Sequence, residues 1–281
     1  MAFSEVRGLV DPFGGREDIE GGIIRAVGDP EKRFSEDALR IMRAFRFSAV
    51  LGYKIDEKTL LAASSEREGL AQIARERIAT EFLKLISADS CSAVLRSMIE
   101  RKITDYVFGD YVPSDEVLCA LDRCAPILRA RLGILMSEAT EEVRQRILWG
   151  LKLPKSLISD SSGIASRISE KLHGGEIEAR RFIGGCGDLA LDVLEAASAL
   201  GRADADFVEL VKKNINTRSC ASVAQLDING YDLIKLSFKG KEVGEILNGL
   251  VEAVMTEPSL NTKEKLEDIA RGMKVNNSQK G

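Results

Sequence analysis

The clearest pattern of apolar and polar positions lies between Phe34 and Leu51, in the sequence FSEDALRIMRAFRFSAVL. At about 100° per residue, five apolar side chains fall on one side of a single helix. They are Ala38, Ile41, Met42, Phe45 and Ala49. The opposite side and its flanks carry arginines and acids: Glu36, Asp37, Arg40, Arg43 and Arg46. Because Ser35 is a suitable N-cap and acidic residues follow it, the pattern predicts a well-capped helix with one buried stripe.

Helical spacing of apolar residues continues through most of the chain, which predicts a mainly α protein. Glycines and prolines mark the connections between the predicted helices. After the first helix we expect helices at 56–65, 73–87, 90–100, 103–108, 115–136, 141–150, 156–172, 176–183, 188–200, 204–213, 231–236, from 241 onward and after 262. The sequence shows no fixed repeat, so we expect an irregular multi-helix array.

Residues 7–27 are the one stretch that predicts β structure. RGLVDPF and IIRAV are two short apolar segments, and REDIEG between them has the pattern of a helical turn. Two strands alone are marginally stable in water, so they need a sheet to join. We interpret them as the last two strands of a domain whose earlier strands are absent, with a small independent hairpin as the alternative.

Composition narrows the class of protein. The 281 residues are 44% hydrophobic and have a formal net charge of −4, so any RNA contact would depend on local basic patches. No apolar run approaches the roughly 20 residues that span a bilayer, and the N-terminus has no signal-peptide pattern, which predicts a cytoplasmic protein. Five widely spaced cysteines and a single histidine predict reduced thiols and argue against a zinc centre.

Two further stretches carry candidate chemistry. Lys239 and Lys241 lie at the start of a predicted helix, where backbone amides favour anions, so a phosphate site and a plain capping loop fit equally well. Asp204-Ala205-Asp206 has D-x-D spacing, but its helical context predicts solvated acids at a helix N-terminus and not a metal site.

Four stretches, in this order, resemble the class II (bacterial-type) tRNA nucleotidyltransferases, the CCA-adding enzymes and their poly(A) polymerase relatives. The stretches are GLVDPFGGREDIEGGIIRAVGDPEKRFSEDALRIMRAFRF, IDEKTL, ARERIATEFLKLI and INGYDLIKLSFKGKEVGEILN. The resemblance covers nearly the whole chain and is most specific over residues 7–87 and 226–265. It implies a helical neck, body and tail that follow a catalytic head.

The head of this family carries a Gly-Ser loop, two metal-binding carboxylates in D-x-D spacing and an Arg-Arg-Asp motif. None of these precedes Leu9. The resemblance therefore implies that the chain begins inside the head, after its catalytic strands. We expect a two-strand head remnant, a neck with nucleotide-recognition helices, a helical body, a tRNA-binding tail and a disordered end, at 1–29, 30–109, 110–225, 226–272 and 273–281.

The resemblance also implies roles for residues of the first helix. Asp37 and Arg40 match the pair that reads the Watson–Crick edge of CTP or ATP, while Glu36 and Arg43 match positions that orient Arg40 or approach the nucleotide. A carboxylate accepts hydrogen bonds and a guanidinium donates them, which suits cytosine and adenine. The alternative is an ordinary i,i+3 surface ion pair between Asp37 and Arg40.

Other positions match family features less specifically. Three candidate groups are expected: a head–neck hinge, a support for the nucleotide helix, and weak RNA contacts. Their members are Asp11, Gly14 and Gly15 for the hinge, Arg77 and Glu81 for the support, and Lys239, Lys241, Arg180 and Arg181 for RNA. A tight turn without motion is the alternative for the first group, and an i,i+4 pair is the alternative for the second.

We therefore expect the neck–body–tail portion of an enzyme that adds CCA to the tRNA 3′ end. Its partners would be the acceptor and T arms of tRNA, CTP, ATP and a separately encoded head, with a homodimer as a further possibility and no membrane. We assign it no catalytic residue, metal ligand or cofactor, so we expect it to be inactive alone, with Mg²⁺ bound only when a complete head is present. The alternatives are a stand-alone helical RNA-binding module, a poly(A) polymerase-type fragment and a non-functional remnant.

Overall fold

A computed structural model describes residues 2–6, 8–217 and 222–278. Within these ranges the chain is mainly α, as predicted. The helices are α1 (Gly15–Glu20), α2 (Pro30–Glu36), α3 (Leu39–Leu51), α4 (Glu57–Ser65), α5 (Arg75–Ile86), α6 (Ser92–Glu100), α7 (Asp105–Phe108), α8 (Asp115–Arg123), α9 (Leu128–Leu135), α10 (Glu141–Gly150), α11 (Lys155–Arg167), α12 (Glu176–Cys186), α13 (Ala190–Ala199), α14 (Ala205–Asn216), α15 (Gly230–Lys235), α16 (Lys241–Thr256) and α17 (Lys263–Ser278). Short 3₁₀ turns lie at Arg67–Gln72, Gly187–Leu189, Val223–Gln225 and Pro258–Leu260.

Four short strands form two separate pairs in the described part of the chain. β1 (Ala2–Ser4) is antiparallel to β2 (Gly8–Val10), and β3 (Ile23–Ile24) is parallel to β4 (Lys54–Ile55). The two predicted strand segments therefore contain β2 and β3, and α1 occupies the predicted turn. The first segment pairs with β1, and the second pairs with β4, which comes later in the chain. Its two residues are too short a stretch for an alternating pattern to reveal.

A break at Asp37 divides the predicted Phe34–Leu51 helix into α2 and α3, so the prediction of one continuous helix was wrong. Asp37 has an extended backbone (φ −154°, ψ 99°), and its Oδ1 accepts a hydrogen bond from the Leu39 amide at 3.1 Å. A short carboxylate that bonds to nearby backbone amides competes with the helix for its donors. Asp37 is therefore placed at a helix junction and not on a helix face.

The cap predicted at Ser35 was also wrong. α2 already starts at Pro30, and the side chain of Asp29 accepts hydrogen bonds from the amides of Glu31 and Lys32. Proline at the first helical position and aspartate before it are a favoured helix start. Ser35 lies inside α2, and its hydroxyl donates to the Lys32 carbonyl.

The predicted apolar stripe is confirmed, and it is the centre of the N-terminal core. All five of its side chains are buried, Ala38 directly before α3 and the other four on it, and α3 packs against α5. Phe82 of α5 meets Phe108 edge to face, with 5.2 Å between ring centroids. The buried side of α3 therefore contacts α5, while Arg43 on its other side is exposed.

Arg131 is the largest fully buried side chain in the described part of the chain, at 1% exposure. The predicted 115–136 helix is interrupted between α8 and α9, in the segment that contains Pro126. Arg131 donates there to the carbonyls of Cys124 and Ala125 after α8, and to those of Ile86 and Ala88 at the end of α5. A guanidinium thus satisfies carbonyls that two helix ends leave without intrahelical partners.

Asp122 has a structural role in the first unit. It accepts hydrogen bonds from the amides of Cys91 and Ser92 at the start of α6. These bonds, together with those from the hydroxyls of Ser92 and Ser90, hold the pKa of Asp122 below its usual value against the opposing effect of burial. Burial raises the pKa of the adjacent Cys91 thiol to about 12.

The chain divides into two compact units, 1–170 with 195–202, and 171–194 with 203–281. Their limits do not coincide with the segment boundaries expected at 109 and 225. The second unit has its own core around Leu233, Phe238 and Leu250. Because α17 continues to Ser278, helix replaces the disorder expected over 273–278. The rest of that segment, 279–281, and the fifth cysteine, Cys220, lie outside the described residues.

No helix in the described part of the chain combines the length and the apolar character that a membrane span requires.

Candidate functional site

The arginine–acid residues gather at the junction of α2 and α3. Glu36 Oε2 accepts hydrogen bonds from Arg33 Nη1 at 2.9 Å and from Arg40 Nη1 at 2.7 Å. Arg40 Nη1 also donates to the Arg33 carbonyl at 2.8 Å. The hydrogen bond from Arg40 is the main cause of a lowered pKa at the Glu36 carboxyl. Glu36 therefore stays charged at neutral pH and fixes one edge of the Arg40 guanidinium.

Asp37 has a different partner. Its Oδ2 lies 3.4 Å from Nη2 of Arg77, which comes from α5, and its side chain is 32% exposed. Among the described contacts there is no ion pair between Asp37 and Arg40. Because the break takes Asp37 off the helix face, the i,i+3 pair considered as the alternative does not form in this conformation.

Both predicted support residues lie on α5 and contact the α2–α3 segment. Arg77 contacts Asp37, while Glu81 Oε2 accepts a hydrogen bond from Arg46 Nε on α3. The side chains of the second pair are only 8% (Glu81) and 15% (Arg46) exposed. The described contacts show no pair between Arg77 and Glu81, so each residue links α5 to the site and not to its own helix neighbour.

Arg43 and Arg46 both lie near an aromatic ring, that of Phe47, which the sequence reasoning missed. The Arg46 guanidinium carbon is 3.9 Å from the centroid of the Phe47 ring, and that of Arg43 is 5.7 Å from it. Arg43 is exposed and has no carboxylate partner among the described contacts. The spacing of Arg43 and Phe47, i and i+4, was the available sequence signal for this contact.

A cavity of about 260 Å³ opens beside these arginines. Its lining includes Arg33, Arg40, Arg43, Phe34 and Phe47, together with the backbone stretch 24–27 and Thr59. Asp37 is not among the lining residues. A second cavity of about 560 Å³ shares Phe47 and stretch 24–27. A planar, hydrogen-bonding ligand thus has guanidinium donors and aromatic walls available in one place.

Arg33 was also missed, although it lies three residues before Glu36. The predicted helix began after Arg33, which hid the i,i+3 relation between the two side chains. The start of α2 at Pro30 brings Arg33 onto the same helix as Glu36.

The predicted hinge residues form a tight turn ahead of α1. Asp11 Oδ2 accepts a hydrogen bond from the Arg16 amide at 2.7 Å, and Gly14 has φ 68° at the helix start, with Gly15 as the first helical residue. Backbone hydrogen bonds from Arg16, then from Gly15, lower the pKa of Asp11. A side chain at Gly14 would be strained in this left-handed conformation. Hinge motion itself stays a prediction.

The four candidate RNA contacts differ in their surroundings. Lys239 and Lys241 are exposed at the start of α16, and Arg181 pairs with Glu252 at 2.7 Å on the surface. Arg180 is only 14% exposed. It donates to the Met255 carbonyl at 2.6 Å and to the Asn214 side chain at 2.9 Å. Its donors thus hold the second unit together, which leaves little of the guanidinium for a ligand.

The D-x-D sequence lies at a helix start. Asp204 directly precedes α14 and pairs with Lys171 at 2.7 Å, and Asp206 lies in the first helical turn. Over the ranges that the structure describes, no three His, Cys, Asp or Glu side chains form a group that could hold a metal ion.

Two family models match the chain. Residues 52–113 match "Probable RNA and SrmB- binding site of polymerase A". Residues 130–270 match "tRNA nucleotidyltransferase domain 2 putative".

Curated relatives and a solved structure agree with these models. The CCA-adding enzyme of Bacillus velezensis is 31% identical over 95% of this chain and 68% of the relative, and that of Pediococcus pentosaceus is 30% identical over 100% and 70%. The Bacillus stearothermophilus CCA-adding enzyme, solved in complex with CTP, superposes with a TM-score of 0.83 at 26% identity, over 99% of this chain and 72% of that one. The chain spans about two thirds of the length of these curated relatives. On this evidence it belongs to the CCA-adding enzyme family of tRNA nucleotidyltransferases.

Proposed function

We propose that this chain selects CTP and ATP and holds tRNA during addition of CCA to the tRNA 3′ end. One observation carries the proposal: Glu36 and the Arg33 carbonyl fix Nη1 of Arg40 beside the 260 Å³ cavity. No described hydrogen bond uses Nε or Nη2 of Arg40. Donors that are already oriented bind a ligand without a further ordering cost.

Asp37 and Arg40 suit the Watson–Crick edges of cytosine and adenine. Both bases present an exocyclic amino group, which a carboxylate accepts from, beside a ring nitrogen that a guanidinium donates to. Asp37 is 32% exposed, and Arg77 lies within 3.4 Å of its Oδ2, which limits the range of the carboxylate. Arg43 has no carboxylate partner among the described contacts, so it remains available to a charged part of the nucleotide.

tRNA binding is assigned to the body and tail. A-form RNA is recognised through its phosphates and shape, which basic surface residues can contact. Lys239 and Lys241 are exposed at the N-terminal end of α16, where backbone amides also favour phosphate. The match of residues 130–270 to a tRNA nucleotidyltransferase domain supports this assignment.

A catalytic head domain is the partner that the apolar N-terminal surface favours. Four large apolar side chains are about half exposed there: Val10, Phe13, Ile19 and Val27. Three of them line the 560 Å³ cavity, namely Phe13, Ile19 and Val27. Exposed apolar patches of this kind mark interaction sites. A second copy of the chain is the competing occupant, and the mass of the chain in solution distinguishes the two.

Metal-assisted nucleotidyl transfer is not assigned to residues of this chain. The D-x-D acids at Asp204 and Asp206 lie at a helix start, where one of them pairs with Lys171. The second candidate is a fragment of a poly(A) polymerase-type enzyme, which the match of residues 52–113 to "Probable RNA and SrmB- binding site of polymerase A" favours.

The base-selection role predicts a measurable change of nucleotide preference. In ligand-observed NMR titrations, which read weak affinities, the chain should bind CTP and ATP more tightly than GTP and UTP. Arg40→Met should weaken CTP and ATP binding about 10- to 100-fold, because a hydrogen bond to a charged group contributes about 1.5–3 kcal/mol. Asp37→Asn should reduce the preference over GTP and UTP, because an amide can also donate.

Asparagine keeps the helix-capping ability of aspartate, so Asp37→Asn separates base selection from loss of α3. Asp29→Asn, the same change at the cap of α2, is the matched control and should leave all four affinities unchanged. Unaltered nucleotide preference in both Asp37→Asn and Arg40→Met would refute the proposed role.

A second prediction concerns catalysis. The purified chain, incubated with tRNA lacking CCA, labelled CTP and ATP, and Mg²⁺, should bind the tRNA in a gel-shift assay without incorporating label. A complete CCA-adding enzyme in the same buffer is the positive control. Incorporation of label by the chain alone would contradict the expectation that it is inactive without a head. Failure to shift tRNA would contradict the proposed tRNA binding and favour a non-functional remnant.

A further inference from the structure

Phe47 lies on α3 at the place where the two cavities meet. Phe47 is half-buried and lines both the 260 Å³ cavity with the arginines and the 560 Å³ cavity, and stretch 24–27 also lines both. The family pattern assigned it no role, and neither did the helical periodicity, which placed it outside the buried stripe. A large aromatic side chain that is not used for core packing is available for contact with a ligand.

The ring is held in place from α5. The Arg46 guanidinium carbon is 3.9 Å from the ring centroid, within the range of a cation–π contact. Arg46 in turn donates through Nε to Glu81, and this pair is nearly buried. These contacts, from Glu81 to Arg46 and from Arg46 to Phe47, therefore link α5 to the cavity wall and restrict the orientation of the ring.

We propose that Phe47 is the nucleotide-contacting wall of the site, which packs against CTP and ATP alike and adds affinity without base selectivity. The proposal rests on the proposed function, because it assumes that the arginine-lined cavity receives the nucleotide. It adds a residue whose contribution is distinct from that of Asp37 and Arg40.

The distinction follows from chemistry. Every base and ribose presents a face that can pack on an aromatic ring, so such contacts tolerate any base and contribute about 1–3 kcal/mol per base. Hydrogen-bonding side chains such as Asp37 and Arg40 instead depend on the pattern of donors and acceptors. Loss of Phe47 should therefore weaken all nucleotides by a similar factor, whereas loss of the hydrogen-bonding pair should change the preference among them.

The test uses Phe47→Leu in the NMR titrations with all four nucleotides. CTP and ATP binding should each weaken about tenfold or more, with the ratio of their affinities to those of GTP and UTP unchanged. Phe182→Leu is the matched control, since Phe182 is also half-buried but belongs to the second unit, and it should leave affinity unchanged. Phe47→Tyr should restore binding to near the original level.

A fluorescence measurement covers the case in which Phe47→Leu fails to fold. Trp149 is the single tryptophan of the chain, so a Phe47→Trp variant in a Trp149→Phe background carries one reporter in the wall. CTP and ATP should both quench it with saturating curves, while the corresponding Phe182→Trp variant, with its reporter in the second unit, should show no saturable quenching.

The outcomes separate the two proposals. If the unmodified chain binds CTP and ATP, two results would refute the proposed contact between Phe47 and the nucleotide: unchanged affinity in Phe47→Leu, or no quenching at position 47. Either result would leave the proposed function intact. A selective loss of one nucleotide would also refute the proposal for Phe47. No nucleotide binding by the unmodified chain would overturn both.

Discussion

Arg131→Met is expected to lower the free energy of unfolding of the first unit by about 3–5 kcal/mol. The guanidinium donates to four carbonyls, those of Ile86, Ala88, Cys124 and Ala125, and the side chain is 1% exposed. A buried acceptor left without a donor costs about 1–3 kcal/mol, and recovery of the desolvation energy of the guanidinium offsets part of that sum.

Methionine has a similar length, so a cavity contributes little to this change. Arg131→Lys keeps the charge but cannot reach four carbonyls from one nitrogen, so its destabilisation should be intermediate. Urea unfolding followed by the fluorescence of Trp149, the single tryptophan, which belongs to the first unit, measures the change directly.

Arg146→Met is the control for Arg131→Met, because Arg146 lies in the same unit but is 54% exposed and pairs with Asp110 at the surface. Exposed ion pairs contribute little to stability, so the unfolding midpoint should not move. Equal midpoints for the Arg131 and Arg146 variants would show that the buried guanidinium is not needed to satisfy the two helix ends.

The ion pair between Arg46 and Glu81 should show strong coupling in a double-mutant cycle. Arg46→Met leaves the Glu81 carboxylate buried, with no other described partner, and breaking a buried pair in this way costs about 3–5 kcal/mol. Arg46→Met combined with Glu81→Met removes both charges from a site with 15% and 8% side-chain exposure. The double variant should therefore be more stable than Arg46→Met alone.

Urea unfolding of the unmodified chain, both single variants and the double variant gives the coupling energy, which we expect to exceed about 2 kcal/mol. Glu76→Gln is the control on the same helix, since Glu76 pairs with Lys152 at the surface, and it should leave the midpoint unchanged. Additive effects of the two single changes would show that α3 and α5 are joined by apolar packing alone.

Much of the first unit could be predicted from the sequence because its signals are local. The spacing of Ile41, Met42 and Phe45 fixed which side of α3 is buried, since a helix repeats every 3.6 residues whatever surrounds it. The break at Asp37 was missed although Asp29-Pro30 announced an earlier helix start. The residue type alone does not show whether an aspartate lies inside a helix or interrupts it by bonding to nearby backbone amides. At Asp37 the outcome depended on where the preceding helix began.

The sequence by itself determined the helical class, the buried stripe of α3 and the residue types of the arginine–acid cluster at the α2–α3 junction. The tertiary structure alone decided the partners. Asp37 meets Arg77 across 40 positions and Arg46 meets Glu81 across 35, both because α5 packs on α3. Helical spacing limits which neighbours three or four residues apart can touch, but contacts between helices depend on how their buried faces fit together.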